Sequence, residues 1–222
     1  HVLFDITMKF EPRKINVVVG PNGSGKSTLL KSIFGLTTIY SGSIVYEGME
    51  LVGKPSHEIA KYGIAYLPQV DNIFANLTVE ENLLMAGYLM RKEELEERVE
   101  DIAEIFPMVK RYWKRKAKLL SGGERQMVAM AMALVRNPKV MLFDEPTGGL
   151  SPKIANEVIA KIIELRDSMN MTIILVEQNA KKALEIGDQA YLLVGGRLIF
   201  EGGCQELLEH PQLASLYLGV SS

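Results

Sequence analysis

The nine residues Gly20-Pro21-Asn22-Gly23-Ser24-Gly25-Lys26-Ser27-Thr28 constrain this chain more than any other stretch. An apolar β-type run (Ile15, Val17, Val18, Val19) precedes them, and a helical pattern (Leu29, Leu30, Ile33) follows. Strand, glycine-rich turn and helix, in that order, are the setting of a phosphate-binding loop. The glycines let the backbone curl so that several N–H groups point inward, backed by the positive end of the next helix. Lys26 supplies a point charge for the β- and γ-phosphates, and the Ser27 hydroxyl a ligand for Mg2+. A plain glycine-rich turn is the alternative; pattern, context and order together favour a nucleotide-phosphate site.

The chain has 222 residues, 47% hydrophobic and 23% charged, which suits one compact unit or one domain with a sub-lobe. A formal net charge of −2 gives no global argument for nucleic acid or an anionic membrane surface. The single cysteine, Cys204, cannot close an internal disulfide, and a reducing compartment is the simpler reading. No signal peptide and no bilayer-spanning apolar run is visible, so any membrane role is expected to be peripheral.

Along the chain, strand-like Val2–Phe10 and Ile15–Val19 lead into the loop and a helix from Lys26 to about Phe34. Ser41–Gly48 holds short β runs separated by glycines and reads as an antiparallel hairpin. Ile64–Leu67 is a further strand, stopped by Pro68-Gln69. From Thr78 to about Arg136 the signals turn helical. Thr78 and Glu81 form a capping-box pattern, and Leu95, Val99, Ile102 and Ile105 recur at helical spacing among charges. Strand and helix then alternate again: Val140–Phe143, a Ser151-Pro152 helix start running to about Met169, Thr172–Val176, and a hairpin of Gln189–Val194 and Arg197–Glu201 about Gly195-Gly196. The expected fold is an α/β nucleotide-binding core, about residues 1–73 and 137–222, with antiparallel β hairpins and an all-helical lobe inserted at about 74–136.

Asp144 and Glu145 end the apolar run Val140–Phe143, where ligands gather in open α/β sheets. Asp144 is placed to hold Mg2+, and Glu145 to orient a water that attacks the γ-phosphate. Two acids that merely solvate a strand end are the alternative. Leu120-Ser121-Gly122-Gly123-Glu124-Arg125-Gln126 opens a helix expected to run to Asn137-Pro138. Ser121 and Glu124 can form a capping box, but a cap does not require two consecutive glycines. Exposed N–H groups of Gly122 and Gly123 beside the Ser121 hydroxyl make a second anion site. Two phosphate-gripping surfaces on one chain suggest that the second serves another subunit's nucleotide.

Gly20–Thr28, Gln69, Leu120–Gln126, Val140–Pro146 and Ser151-Pro152 resemble, in order and spacing, the ATPase subunit of an ATP-binding cassette (ABC) transporter. The likeness covers essentially the whole chain. It implies a P-loop NTPase core of RecA-like type, hydrolysis of ATP with Mg2+, and a head-to-tail homodimer or a heterodimer with a related ATPase. Each ATP would lie between Gly20–Thr28 of one subunit and Ser121–Gly123 of the other. Gln69 would be linked to Mg2+ and water, and the helical lobe would touch membrane permease subunits, themselves served by a solute-binding protein. The implied place is cytoplasmic, peripheral on the inner face of the cell membrane. The family usually has a γ-phosphate-contacting histidine where this chain has Gln178, an amide that donates a hydrogen bond but cannot become imidazolium. Ser151 stands where many relatives have an aspartate, and the adenine-stacking aromatic would fall before residue 1. Val176-Glu177-Gln178-Asn179 and the ending Ser215-Leu216-Tyr217-Leu218-Gly219 resemble a branched-chain amino acid importer ATPase.

Three rival readings remain. An ABC ATPase of another transport system, for lipid or another solute, keeps the same motifs. A soluble ABC ATPase acting on nucleic acid or protein assembly is disfavoured by the short helical lobe. A GTPase or kinase lacks support, because no Asn-Lys-x-Asp motif occurs. The run Lys110, Arg111, Lys114, Arg115, Lys116, Lys118 around Tyr112 and Trp113 reads as a solvated helix end rather than a nucleic-acid surface, with permease or lipid headgroups as its partner if it has one. Met127, Met130 and Met132 read as core fillers, and His57 and His210 suggest no metal site.

Overall fold

The structure, a computed structural model, describes residues 1–70, 72–210, 212, 213 and 217, so all of the Ser215–Gly219 ending except Tyr217 lies outside the described residues. In chain order the core opens with β1 (Ile15–Val19), α1 (Lys26–Ile33), β2 (Val45–Tyr46), β3 (Met49–Glu50), α2 (Ser56–Lys61) and β4 (Ile64–Leu67). The helical stretch holds α3 (Val79–Ala86), α4 (Lys92–Ile105), α5 (Met108–Arg111), a 3-10 turn at Ala117–Leu119 and α6 (Gly122–Leu134). The chain then returns through β5 (Val140–Asp144), α7 (Pro152–Met169), β6 (Thr172–Val176), α8 (Ala180–Ile186), β7 (Gln189–Val194), β8 (Arg197–Gly203) and α9 (Cys204–Glu209).

The larger sheet runs β4-β5-β6-β1-β7-β8, with β8 alone antiparallel to its neighbour. The central strands β1, β5 and β6 are buried almost throughout because both faces are covered, whereas the edge strand β8 alternates exposed and half-buried residues. Val17, Val19, Met141, Phe143, Ile173 and Leu175 join one cluster with Met130 and Leu134 of α6 and Ile162 of α7. The alternating residues Val18, Leu142, Ile174 and Val176 join a second cluster with Leu29, Leu30 and Ile33 of α1. Each such side chain contributes about 1.5–3 kcal/mol on burial, which is what fixes the register of these short strands. The first cluster continues into Val79, Leu83, Leu95, Val99 and Ile102, so the helical stretch shares one core with the sheet. Met130 is buried in it and Met127 and Met132 pack against it. The Thr78–Glu81 capping box forms, with Glu81 N–H donating to Thr78 Oγ1 at 3.1 Å and Thr78 N–H to Glu81 Oε2 at 2.7 Å.

Three expectations need correction. Val2–Phe10 enters no strand among the described residues: Asp5 sits at φ +48°, which breaks the extended run, and its one backbone bond to the sheet is Phe4 N–H to Gly196 O at 2.8 Å. The Ser41–Gly48 hairpin is displaced forward to β2 and β3. Glu47 and Gly48, both at positive φ (+47° and +79°), form the two-residue turn, as a right-twisted hairpin requires. Helix α6 stops at Leu134, and the chain leaves it through Asn137 at φ +51°.

Candidate active site

Gly20 follows β1 directly, and a Cβ there would lie 2.0 Å from the carbonyl oxygen of Leu193, so only glycine lets the chain turn at this point. The turn is closed by Ser24 N–H to Pro21 O at 3.2 Å and tied to the β7–β8 turn by Gly196 N–H to Ser24 O at 3.1 Å. Gly25, in the left-handed region, is the N-cap of α1, so the loop feeds straight into the positive end of a helix. Lys26 reaches back over this loop: Nζ donates to Gly20 O at 2.8 Å and Pro21 O at 3.0 Å. Burial lowers its pKa, and the carboxylates of Glu145 and Asp144 act in the opposite sense. Ser24 Oγ, buried inside the turn, is an unpartnered polar atom among the described residues and fits an anion cradle.

Beside the loop, Ser27 Oγ donates to Asp144 Oδ1 at 2.7 Å, and the phenol of Tyr66 donates to Asp144 Oδ2 at 2.9 Å. Burial and then the charge of Asp144 push the Tyr66 pKa up, so it stays a donor. A hydroxyl and a carboxylate side by side suit a hard cation such as Mg2+, which takes one or two protein oxygens and completes its shell with water and phosphate. No group of three or more His, Cys, Asp and Glu side chains that could hold a metal ion occurs among the described residues.

Glu145 turns away from the strand at φ +49°, its N–H bonded to Val176 O at 2.9 Å and its Oε2 accepting from Gln69 Nε2 at 2.8 Å. Gln69 therefore meets Glu145 rather than the Ser27–Asp144 pair. Its neighbour Asn72 donates to Pro68 O at 3.3 Å and Gln126 Oε1 at 3.2 Å, which ties this stretch to α6. Gln178 is exposed just past β6, and Asn179 caps α8 by accepting Lys182 N–H at 3.1 Å.

The Ser121 tip is built differently. Ser121 Oγ accepts Glu124 N–H at 3.3 Å and Glu124 Oε2 accepts Ser121 N–H at 2.7 Å, completing the expected capping box. Ser121 and Gly122 are exposed, whereas a Cβ on Gly123 would lie 2.2 Å from Ile154 Cγ2 of α7. No hydrogen bond joins Ser121–Gly123 to Gly20–Thr28 among the described residues. Ser151 is the N-cap of α7 with no side-chain cap bond. Much of the basic run is occupied: Lys110 pairs with Glu100, Lys114 with Glu80, and Arg111 and Arg115 lie 5.4 and 5.3 Å from the centre of the Tyr112 ring. Cys204 is buried and its thiol is pushed up to about 12 by burial.

The family description "ABC transporter" matches residues 3–148. The chain belongs to the ABC transporter family. Its fold is that of an ABC ATP-binding domain: the crystal structure of an ATP-binding cassette of an ABC transporter in its ADP conformation superposes with a TM-score of 0.88 at 27% identity, covering 96% of this chain and 91% of that one. The probable branched-chain amino acid transport ATP-binding protein LivF of Archaeoglobus fulgidus is 54% identical over 220 residues, 99% of this chain and 93% of that protein. The high-affinity branched-chain amino acid transport ATP-binding protein BraG of Pseudomonas aeruginosa is 41% identical over 219 residues, 99% of this chain and 94% of that protein. The lipopolysaccharide export system ATP-binding protein LptB of Escherichia coli K12 is 32% identical over 222 residues, 99% of this chain and 91% of that protein.

Sequence reasoning missed Tyr66. Tyr66 pairs with Leu142, two residues before Asp144, so strand alternation puts the phenol and the carboxylate on one face. That signal becomes usable only once β4 is known to lie beside β5.

Proposed function

We propose that this chain is the ATP-hydrolysing subunit of an ABC importer for branched-chain amino acids, working as a head-to-tail dimer on membrane permease subunits. The observation that carries the chemistry is the meeting of Lys26, Ser27, Asp144, Glu145 and Gln69 at one end of the sheet. The choice of solute rests on the 54% and 41% identical transport proteins, well above the 32% of the lipopolysaccharide exporter.

In this reading the loop Gly20–Thr28 binds the triphosphate through backbone N–H groups and Lys26, which neutralise charge on the phosphoryl oxygens. Ser27 and Asp144 would hold Mg2+, with Asp144 fixed in place by Tyr66, and when bound the ion would supply positive charge that offsets the charge of the phosphates. Glu145 orients and polarises a water, and Gln69 fixes the carboxylate that does so. Gln178 reaches the γ-phosphate as a hydrogen-bond donor. Ser121 and Gly122 are exposed, and among the described residues no hydrogen bond joins Ser121–Gly123 to their own chain's loop, which supports their use on a second subunit's nucleotide. Gln69 and the helical lobe at about 74–136 transmit closure to the permease. Exposed Phe74, Leu84, Met85, Tyr88 and Leu89 support that lobe as the docking face. No helix among the described residues is long and apolar enough to cross a membrane, in keeping with peripheral attachment through the permease.

Glu145→Gln tests the reading. It should retain ATP binding, slow hydrolysis about 100-fold or more, and accumulate an ATP-bound dimer in light scattering. Normal hydrolysis removes Glu145 from its role, and a strictly monomeric nucleotide-loaded protein, with and without a related ATPase, sinks the dimer.

A further inference from the structure

Glu177 stands between Val176, the last residue of β6, and exposed Gln178, and its own side chain is buried at 4% exposure. It forms no ion pair among the described residues. Instead Oε1 accepts the backbone N–H of Thr147 at 2.9 Å. Burial pushes the Glu177 pKa up, hydrogen bonding from Thr147 lowers it, and the charge of Glu145 raises it further. A buried carboxyl without a countercharge is unfavourable, and an apolar residue would simply have extended the run Ile173–Val176.

The turn it holds is the one that carries Glu145. Two successive residues at the end of β6 grip that turn: Val176 O takes the N–H of Glu145 at 2.9 Å, and the Glu177 carboxyl takes the N–H of Thr147. Gly148 N–H closes the turn on Glu145 O at 3.0 Å. Glu145 itself is at φ +49°, a conformation that costs a non-glycine residue about 1 kcal/mol or more and persists only where the surroundings over-determine it. The opposite side of the turn is open to Gln69, whose Nε2 would lie 3.4 Å from a Cβ on Gly148.

We infer that Glu177 is a positioning residue for Glu145: its buried carboxyl, anchored on Thr147 N–H, holds the strained turn so that the Glu145 carboxylate faces the attacking water. This rests on the reading of Glu145 given above. It acts through Glu145, not on substrate.

Steady-state ATP hydrolysis by the full chain tests it with Glu177→Ala, Glu177→Gln, Glu145→Gln and the double variant Glu145→Gln/Glu177→Ala. Glu177→Ala should lower kcat about 10- to 100-fold with KM for ATP held within about threefold, since a misplaced catalytic group costs rate rather than ground-state binding. Glu177→Gln keeps an acceptor for Thr147 N–H and should recover kcat to within about threefold of the parent. The double variant should be no slower than Glu145→Gln, within about threefold, because the two residues act as one unit. Should Glu177→Ala fail to fold, Glu177→Asp, one carbon short of Thr147, replaces it with the same thresholds. A kcat for Glu177→Ala within about twofold of the parent, a Gln variant as slow as the Ala variant, or a double variant that loses activity additively overturns the inference. Normal turnover by Glu145→Gln instead fails the parent reading and carries this one with it.

Discussion

The loop Gly20–Thr28 and the tip Ser121–Gly123 are both helix N-termini that expose backbone N–H groups, yet they are built to different standards. The first is wedged against Leu193, has Lys26 folded over it, and is flanked by Ser27, Asp144 and Glu145. The second is a capping box on an exposed helix end with no lysine and no carboxylate cluster of its own beyond Glu124. A helix N-terminus alone contributes only about 0.3–1 kcal/mol toward an anion, so the tip cannot hold a nucleotide unaided. In the proposed dimer, the same increment would add to the grip of a triphosphate already held by the other chain's loop.

That contrast can be broken by mutation. Lys26→Ala should weaken ATP binding by the isolated chain roughly 100-fold, the worth of a charge-assisted contact, as read by calorimetry or fluorescent-nucleotide titration. Unchanged affinity would show that the loop does not grip phosphate. Ser121→Asp preserves the cap but sets a negative charge at the tip. ATP affinity of the isolated chain should stay within about twofold while turnover falls about tenfold and the ATP-bound dimer is lost. Equal damage to both affinity and turnover would mean that the tip serves its own chain's site. Tyr66→Phe removes one hydrogen bond from Asp144 and should weaken Mg2+-dependent ATP binding about two- to tenfold, leaving Mg2+-free binding alone. The smallest effect concerns stability. Because burial raises the folded pKa of Glu177 above its unfolded value, the group is neutral in both states at low pH. The folded chain then loses stability as pH rises from the ordinary carboxylate range through that raised value. Glu177→Gln should accordingly gain on the parent by a few degrees in melting temperature between acidic and neutral pH. A pH-independent difference would contradict the burial account.

Much of this architecture is legible in the residues. Val17–Val19, Met141–Phe143 and Ile173–Val176 are uninterrupted apolar runs because both faces of the sheet are covered, and each became a strand. The capping boxes at Thr78 and Ser121 depend only on residues three apart, and both formed. What escaped depends on neighbours far along the chain. Val2–Phe10 has strand-like composition, but its apolar side chains found a cluster to pack on while its backbone found almost no ladder partner. Tyr66 reads as packing in isolation, and its phenol becomes an Asp144 partner only through the β4–β5 pairing. Glu177 reads as a polar residue after a strand until the turn at Thr147 folds onto it. Gln69 is marked by the family likeness, and its contact with Glu145 spans 76 residues of chain.

Since Gly123 rests on Ile154 with no room for even a methyl group, the first turn of α6 and the opening turn of α7 mesh like gear teeth. Neither can slide past the other without one tooth deforming. The opening turn of α7 is capped at Ser151, six residues beyond Glu145, so the close approach of Gly123 to Ile154 falls on the segment that leaves Glu145.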